Sequence, residues 1–126
     1  MESKENRQLE SLQSNQLKYD YKGLIPAVIQ DDLTEAVLMV GYMNEEALNR
    51  TMKNGKVCFW SRSRQEYWVK GETSGNFFQL KSIKADCDAD ALLVRVIPLG
   101  DGVACHTGSY SCFFQDLAGL VGMADD

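Results

Sequence analysis

His106 is the only histidine among 126 residues, and it stands in a run, 104–112, that also carries Cys105 and Cys112. Just upstream, residues 86–90 read Asp-Cys-Asp-Ala-Asp, so that Asp86, Asp88 and Asp90 surround Cys87. Three of the chain's four cysteines, its sole imidazole and three carboxylates thus occupy one short stretch. Thiolates and imidazole suit zinc, whereas packed carboxylates suit a hard cation such as magnesium. The combination points to a metal-dependent enzyme.

If residues 86–90 are extended, alternation sends Asp86, Asp88 and Asp90 to one face and Cys87 to the other. Neighbouring carboxylates would then lie roughly 7 Å apart along the strand. Such groups raise one another's pKa unless a cation balances them. Two sites follow: a soft one using Cys87 and a hard one using the aspartates. A solvated acidic loop with a buried free cysteine is the plainer alternative. Seventeen residues separate Cys87 from Cys105 and six separate Cys105 from Cys112, unlike the tight cysteine pairs of zinc fingers. With His106 as fourth ligand the site would be a closed structural zinc. Without it, three thiolates leave a position for water, as in catalytic zinc sites. In an extended segment His106 points away from Cys105, which favours an imidazole beside the metal rather than on it. A lone histidine is more often a packed or surface residue than a catalyst, but adjacency to a candidate ligand and titration near neutrality make His106 the candidate catalytic residue. Cys58, between Val57 and Phe59, reads as a core cysteine.

A second polar stretch precedes the metal candidates. Arg62 and Arg64 would share one strand face, an anion clamp suited to phosphate. Gly71 and Gly75 bracket Glu72, Thr73 and Ser74, whose short polar groups and amides could hold a phosphate or ribose. Arg62, Arg64, Lys70, Glu72, Thr73 and Ser74 are the candidate substrate contacts. A solvated hairpin with surface arginines is the alternative.

The elements that must position these residues are short. Strands are expected over 24–30, 36–43, 57–62, 66–70, 77–83 and 91–97, with Pro26 marking a strand start or a sheet edge. The 36–43 run reads as buried. In the last strand Leu92, Val94 and Val96 share one face, and Leu93, Arg95 and Ile97 the other. Asn44 is a helix N-cap, Glu45 and Glu46 suit the first turn, and the helix stops at Gly55. Gly108 allows a tight turn between Cys105 and Cys112. Residues 1–18 read as a short helix or loose polar arm, and the tail after Phe114 carries no signal. The result is a β-rich α+β domain.

Composition narrows the class. A net charge of −5 and a pI near 4.8 argue against a nucleic-acid partner. The charged N-terminus leads into no apolar signal segment, and no run approaches a membrane span, so a cytoplasmic location and no membrane partner are expected. In that reducing setting clustered cysteines are metal ligands or catalytic groups more often than disulfides, although an even count of four leaves disulfides open. A base-deaminase signature, H-x-E with P-C-x-x-C, is absent. A zinc-stabilised interaction domain, with His106 as a ligand, is the rival from another class.

Taken together the motifs resemble the phosphoribosyl-AMP cyclohydrolase family of histidine biosynthesis. The likeness runs from residues 24–28 to 111–113 and includes 42–44, 60–64, 70–75, 86–90 and 104–108. It implies a β-rich pseudo-barrel, an intertwined homodimer and active sites at the subunit interface. It implies zinc (Zn2+) held by Cys87 of one chain with Cys105 and Cys112 of the other, and magnesium (Mg2+) held by Asp86, Asp88 and Asp90. The reaction implied is hydrolysis of the N1–C6 bond of the adenine ring in phosphoribosyl-AMP. Zinc would activate water for attack at C6, with His106 handling the proton, while magnesium and the arginines orient phosphates. Some relatives carry a fused phosphoribosyl-ATP pyrophosphohydrolase. This chain ends soon after Cys112, so residues 1–126 are expected to form a single cyclohydrolase domain without one.

Overall fold

Alternation of apolar and polar residues builds the central sheet. A computed structural model describes residues 11–119. Strand β1 (Ile25–Asp31) buries every second residue and lies between β2 (Val37–Met43) and β6 (Leu92–Pro98). Strand β5 (Phe78–Ala85) completes the order β2-β1-β6-β5. The β1/β6 pair is parallel and the other two are antiparallel. Leu92, Val94 and Val96 are buried, as their alternation requires. Between β2 and β5 the chain forms one α-helix, α1 (Glu45–Asn54), and a hairpin of β3 (Cys58–Ser61) and β4 (Glu66–Val69). The α+β class is borne out. The four-stranded sheet is open within the chain, with β2 and β5 at its edges.

One detail differs from the sequence reading. β2 is a half-exposed edge strand, with Val37 and Val40 over 40% accessible, because only β1 pairs with it. Pro26 marks the strand start as expected, although β1 is interior rather than an edge: it is the second residue of β1, and pairing to β6 begins only at Ala27. The helix follows its signals. The Asn44 side chain accepts the Ala47 N–H at 2.8 Å, and Gly55, at φ 77°, donates its N–H to the Thr51 carbonyl. A cap of this kind contributes about 1 kcal/mol. Ala47, Leu48 and Thr51 face the core. Phe59 presses so closely on Gly41 that a β-carbon there would lie 2.5 Å from its ring, which seats the hairpin on β2. Cys58 is 2% accessible, the core cysteine expected.

Before β1, residues 11–18 of the expected arm hold a 3-10 turn, Ser14–Gln16; its residues 1–10 lie outside the described residues. The Tyr19 hydroxyl donates to the Ser14 carbonyl at 2.8 Å. Burial, reinforced by the Glu45 carboxylate, pushes that hydroxyl from 10.0 up to about 12. Because the unfolded chain loses this proton first, stability is undiminished below pH 10 and falls as pH rises towards about 12. The urea midpoint should therefore drop over that window in the parent protein and drop less in Tyr19→Phe. Parallel curves would refute the assignment.

Candidate metal and substrate site

The hard-ligand cluster forms, but not by strand alternation. Residues 86–90 make the turn joining β5 to β6. Asp86 closes it: its carbonyl accepts the Ala89 N–H at 2.9 Å, its carboxylate accepts the Asp90 N–H at 3.0 Å, and its own N–H donates to Ala91. Ala89 adopts a left-handed conformation, φ 61°, and its carbonyl accepts the Lys18 N–H at 2.7 Å. This positive φ bends the chain where an extended run was expected. The bend brings one oxygen each of Asp86, Asp88 and Asp90 within 4.8 Å of one another. Among the described residues no other group of three or more acidic, cysteine or histidine side chains converges in this way. The Asp90 N–H holds the Asp86 carboxyl below the usual range, while the hydrogen bond to Asp86 pushes Asp90 up. Three carboxylates at close quarters are a donor set that a divalent cation satisfies. Cys87, on the same turn, is exposed and its thiol lies 3.7 Å from an Asp88 oxygen, so it does not face away from the carboxylates.

The other cysteines lie on a separate loop. The Ala104 and Cys105 N–H groups donate to the Tyr110 and Ser109 carbonyls, at 3.0 and 3.1 Å. Gly108, at φ 94°, closes the tip by donating to the Cys105 carbonyl at 2.9 Å. His106 occupies the exposed corner of this turn; the segment is not extended, so its direction follows from the turn. The Thr107 hydroxyl donates to Cys105 Sγ at 3.1 Å. Hydrogen bonds from Thr107 hold the Cys105 thiol down, helped by Cys112 and the Lys70 ammonium. Burial, with the Cys105 thiol, pushes Cys112 up. Each of the two thiols thus feels the other and the Lys70 charge, and a pair of thiols on one loop suits a thiophilic metal.

The loop is moored to the sheet. The Cys112 N–H donates to the Leu38 carbonyl and the Ser111 hydroxyl to that of Val37, both at 2.8 Å. Tyr110 Oη donates to Asp31 Oδ2 at 2.6 Å, across 79 residues. Burial raises the Asp31 carboxyl, but the hydrogen bonds from Tyr110 and from the Leu33 and Thr34 amides outweigh it and hold the group low. Neither Asp31 nor Tyr110 stood out in the sequence, because nothing local links residues so distant.

Of the substrate candidates, Arg62 and Arg64 lie in the turn between β3 and β4 rather than on one strand face, since β3 ends at Ser61. The Arg62 guanidinium stacks 3.9 Å from the Tyr42 ring, and Arg64 pairs with Glu66 at 3.5 Å. Exposed Glu72, Thr73 and Ser74 lie on the loop after Lys70. A Glu72 oxygen accepts the Val69 N–H at 3.3 Å, and the Ser74 hydroxyl accepts that of Asn76. Asn76, unremarked in the sequence, accepts the Asp101 N–H at 2.8 Å and so ties this loop to 99–102.

A family model described as phosphoribosyl-AMP cyclohydrolase matches residues 39–114. The chain belongs to this family of enzymes. A phosphoribosyl-AMP cyclohydrolase of Bifidobacterium longum subsp. infantis is 61% identical over 99 residues, covering 79% of this chain and 71% of the relative. One of Chloroherpeton thalassium is 54% identical over 101 residues, covering 80% and 71%. A histidine biosynthesis bifunctional protein of Thermosynechococcus vestitus is 53% identical over 105 residues, covering 83% of this chain and 49% of the relative. The span matched to the phosphoribosyl-AMP cyclohydrolase family holds both metal candidates and His106, whereas Asp31 lies before it. Among the described residues no helix is long and apolar enough to cross a membrane.

Proposed function

We propose that this cyclohydrolase-family chain opens the adenine ring of phosphoribosyl-AMP at the N1–C6 bond, a step of histidine biosynthesis, as a homodimer using zinc and magnesium. The observation that carries the reading is the single loop, closed at Gly108 and bonded to β2 at Cys112, on which Cys105 and Cys112 flank the chain's only imidazole. Bound zinc would supply a water activated at neutral pH. Attack at C6 requires that water to lose a proton, and departure of N1 requires one to be gained. His106, next to a ligand but free to swing, takes the first and returns it to N1. The Lys70 ammonium would offset part of the thiolates' negative charge. Asp86, Asp88 and Asp90 would hold magnesium, and Arg62, Arg64, Glu72, Thr73 and Ser74 the phosphates and riboses.

Strand topology supports the dimer reading. Leu92, just after the aspartate turn, pairs with Ala27, whereas Cys112 is bonded to Leu38, opposite the Ile29–Gln30 stretch of the same strand. At about 3.3 Å per residue and 4.8 Å per strand, roughly 15 Å or more separate the Cys87 turn from the Cys105/Cys112 loop. Sulfurs on one tetrahedral zinc lie within about 4 Å of each other. If all three thiols bind one zinc, one chain supplies two thiols or one, and a second copy supplies the rest. The sheet face away from α1 offers an interface: Val40, Val28 and Leu93 stand in one row across β2, β1 and β6, and Val40 is 44% exposed.

Incubation of purified protein with phosphoribosyl-AMP, zinc and magnesium should change the ultraviolet spectrum as the purine ring opens. An unchanged spectrum with both metals bound would overturn the reading. Asp88→Asn should raise the magnesium concentration needed for half-maximal rate by about tenfold or more while zinc content stays the same. Equal loss of both metals would mean that the aspartates support the fold alone.

A further inference from the structure

Asp31 is the one carboxylate buried among the described residues, 5% accessible at the end of β1, and the turn that follows uses only one of its oxygens. Oδ1 accepts the Leu33 and Thr34 N–H groups at 2.8 and 3.3 Å, which is sufficient to shape that turn. Oδ2 is occupied by Tyr110 Oη at 2.6 Å. The Thr34 hydroxyl, 2.6 Å from the same phenol oxygen, then donates to it, since the phenol's single proton is already given to Asp31. A charge-assisted bond of this length, with a buried carboxylate as acceptor and a second partner on the phenol, is stronger than a neutral one. Tyr110 lies on the loop between Cys105 and Cys112, two residues before Cys112.

Apart from this bond the loop is held by its own Ala104–Tyr110 and Cys105–Ser109 backbone bonds and by Cys112 against the core. Ala104 is buried, but His106, Thr107 and Gly108 are exposed, and so are Phe113 and Phe114 beyond it. Its remaining moorings are the Cys112 and Ser111 bonds to β2. We propose that Tyr110 is a positioning residue: by anchoring to the buried Asp31 carboxylate it sets the spacing of Cys105 and Cys112 and so the affinity of this half-site for zinc. The proposal rests on the reading of these cysteines as zinc ligands. Its physical basis is that metal–sulfur distances tolerate deviations of only about 0.2 Å. A loop free to shift must be reordered when metal binds, and the cost appears as weaker binding. Groups that orient ligands typically contribute 10- to 100-fold in affinity.

The test measures zinc affinity of the purified full chain by competition with a chromophoric chelator, and records the visible spectrum of the cobalt-substituted protein. Tyr110→Phe removes only the hydroxyl and should weaken zinc about tenfold, with broadened or shifted cobalt bands. Asp31→Asn keeps a neutral acceptor and should fall between Tyr110→Phe and the parent. Tyr21→Phe, at a 91% exposed ring, should match the parent. A purely structural bond would lower urea stability and leave cobalt spectrum and zinc affinity unchanged; that result overturns the proposal. Should Tyr110→Phe fail to fold, parent-like zinc affinity in Asp31→Asn overturns it equally. If the parent binds zinc and Tyr110→Phe binds it as tightly, only the anchor is wrong. If the parent itself binds no zinc through its cysteines, the functional reading falls and the anchor with it.

Discussion

Cys87→Ser and Cys105→Ser proteins, each inactive alone, are expected to recover activity when their subunits are exchanged. In a two-fold dimer that shares its zinc ligands, each site takes Cys87 from one chain and Cys105 with Cys112 from the other. A mixed dimer then concentrates both lesions in one site and leaves the second with all its thiolates. Random exchange makes half the dimers mixed, so about a quarter of the parent's sites, and of its activity, should return. Zinc content should rise in step, because binding of the metal and pairing of the chains are linked. Cys112→Ser should behave like Cys105→Ser and rescue Cys87→Ser but not Cys105→Ser. Cys58→Ser should keep metal and activity, since that thiol is buried among apolar side chains. No recovery after exchange has been verified by native mass spectrometry would sink the shared site.

His106→Ala should retain zinc, dimer and fold, and lose about 100-fold or more in turnover, the usual scale for a lost general base. The expectation follows from the turn: His106 sits at its exposed corner, whereas Cys105, one residue earlier, receives the Thr107 hydroxyl and feels the Cys112 thiol. Added imidazole should restore part of the rate, because the missing group is a proton carrier and not a ligand. Were His106 a fourth ligand closing the site, the same substitution would release metal and destabilise the protein. Zinc stoichiometry of the purified variant, read beside its rate, separates the two outcomes.

The local signals in this chain act over a few residues, and at that range they were readable. Asn44 and Gly55 bound a helix because cap geometry depends only on adjacent backbone groups. Alternation in residues 92–97 sorts core from outer face because the strand period is two. The tip at Gly108 needs only a residue tolerant of positive φ. Residues 86–90 escaped the same logic. Three aspartates at every second position match a strand, yet Asp86 bonds to the backbone four residues on, and Ala89 takes a positive φ that its residue type does not announce. The arginines of residues 62–64 likewise followed strand spacing on paper but fall in the turn closing the β3–β4 hairpin.

Which residues are fit for chemistry is thus a property of the sequence by itself: side-chain type decides that three cysteines, three aspartates and one histidine suit two kinds of metal, and the ordered motifs carried the family likeness. Where those residues stand is decided by pairing between distant strands. The β1/β6 and β1/β2 registers put the Cys87 turn and the Cys105/Cys112 loop at opposite ends of the sheet, and the Tyr110–Asp31 bond joins residues 79 apart. Neither is encoded in local spacing, because a register is set by the burial of whole faces and a long-range bond by the packing that brings its partners together.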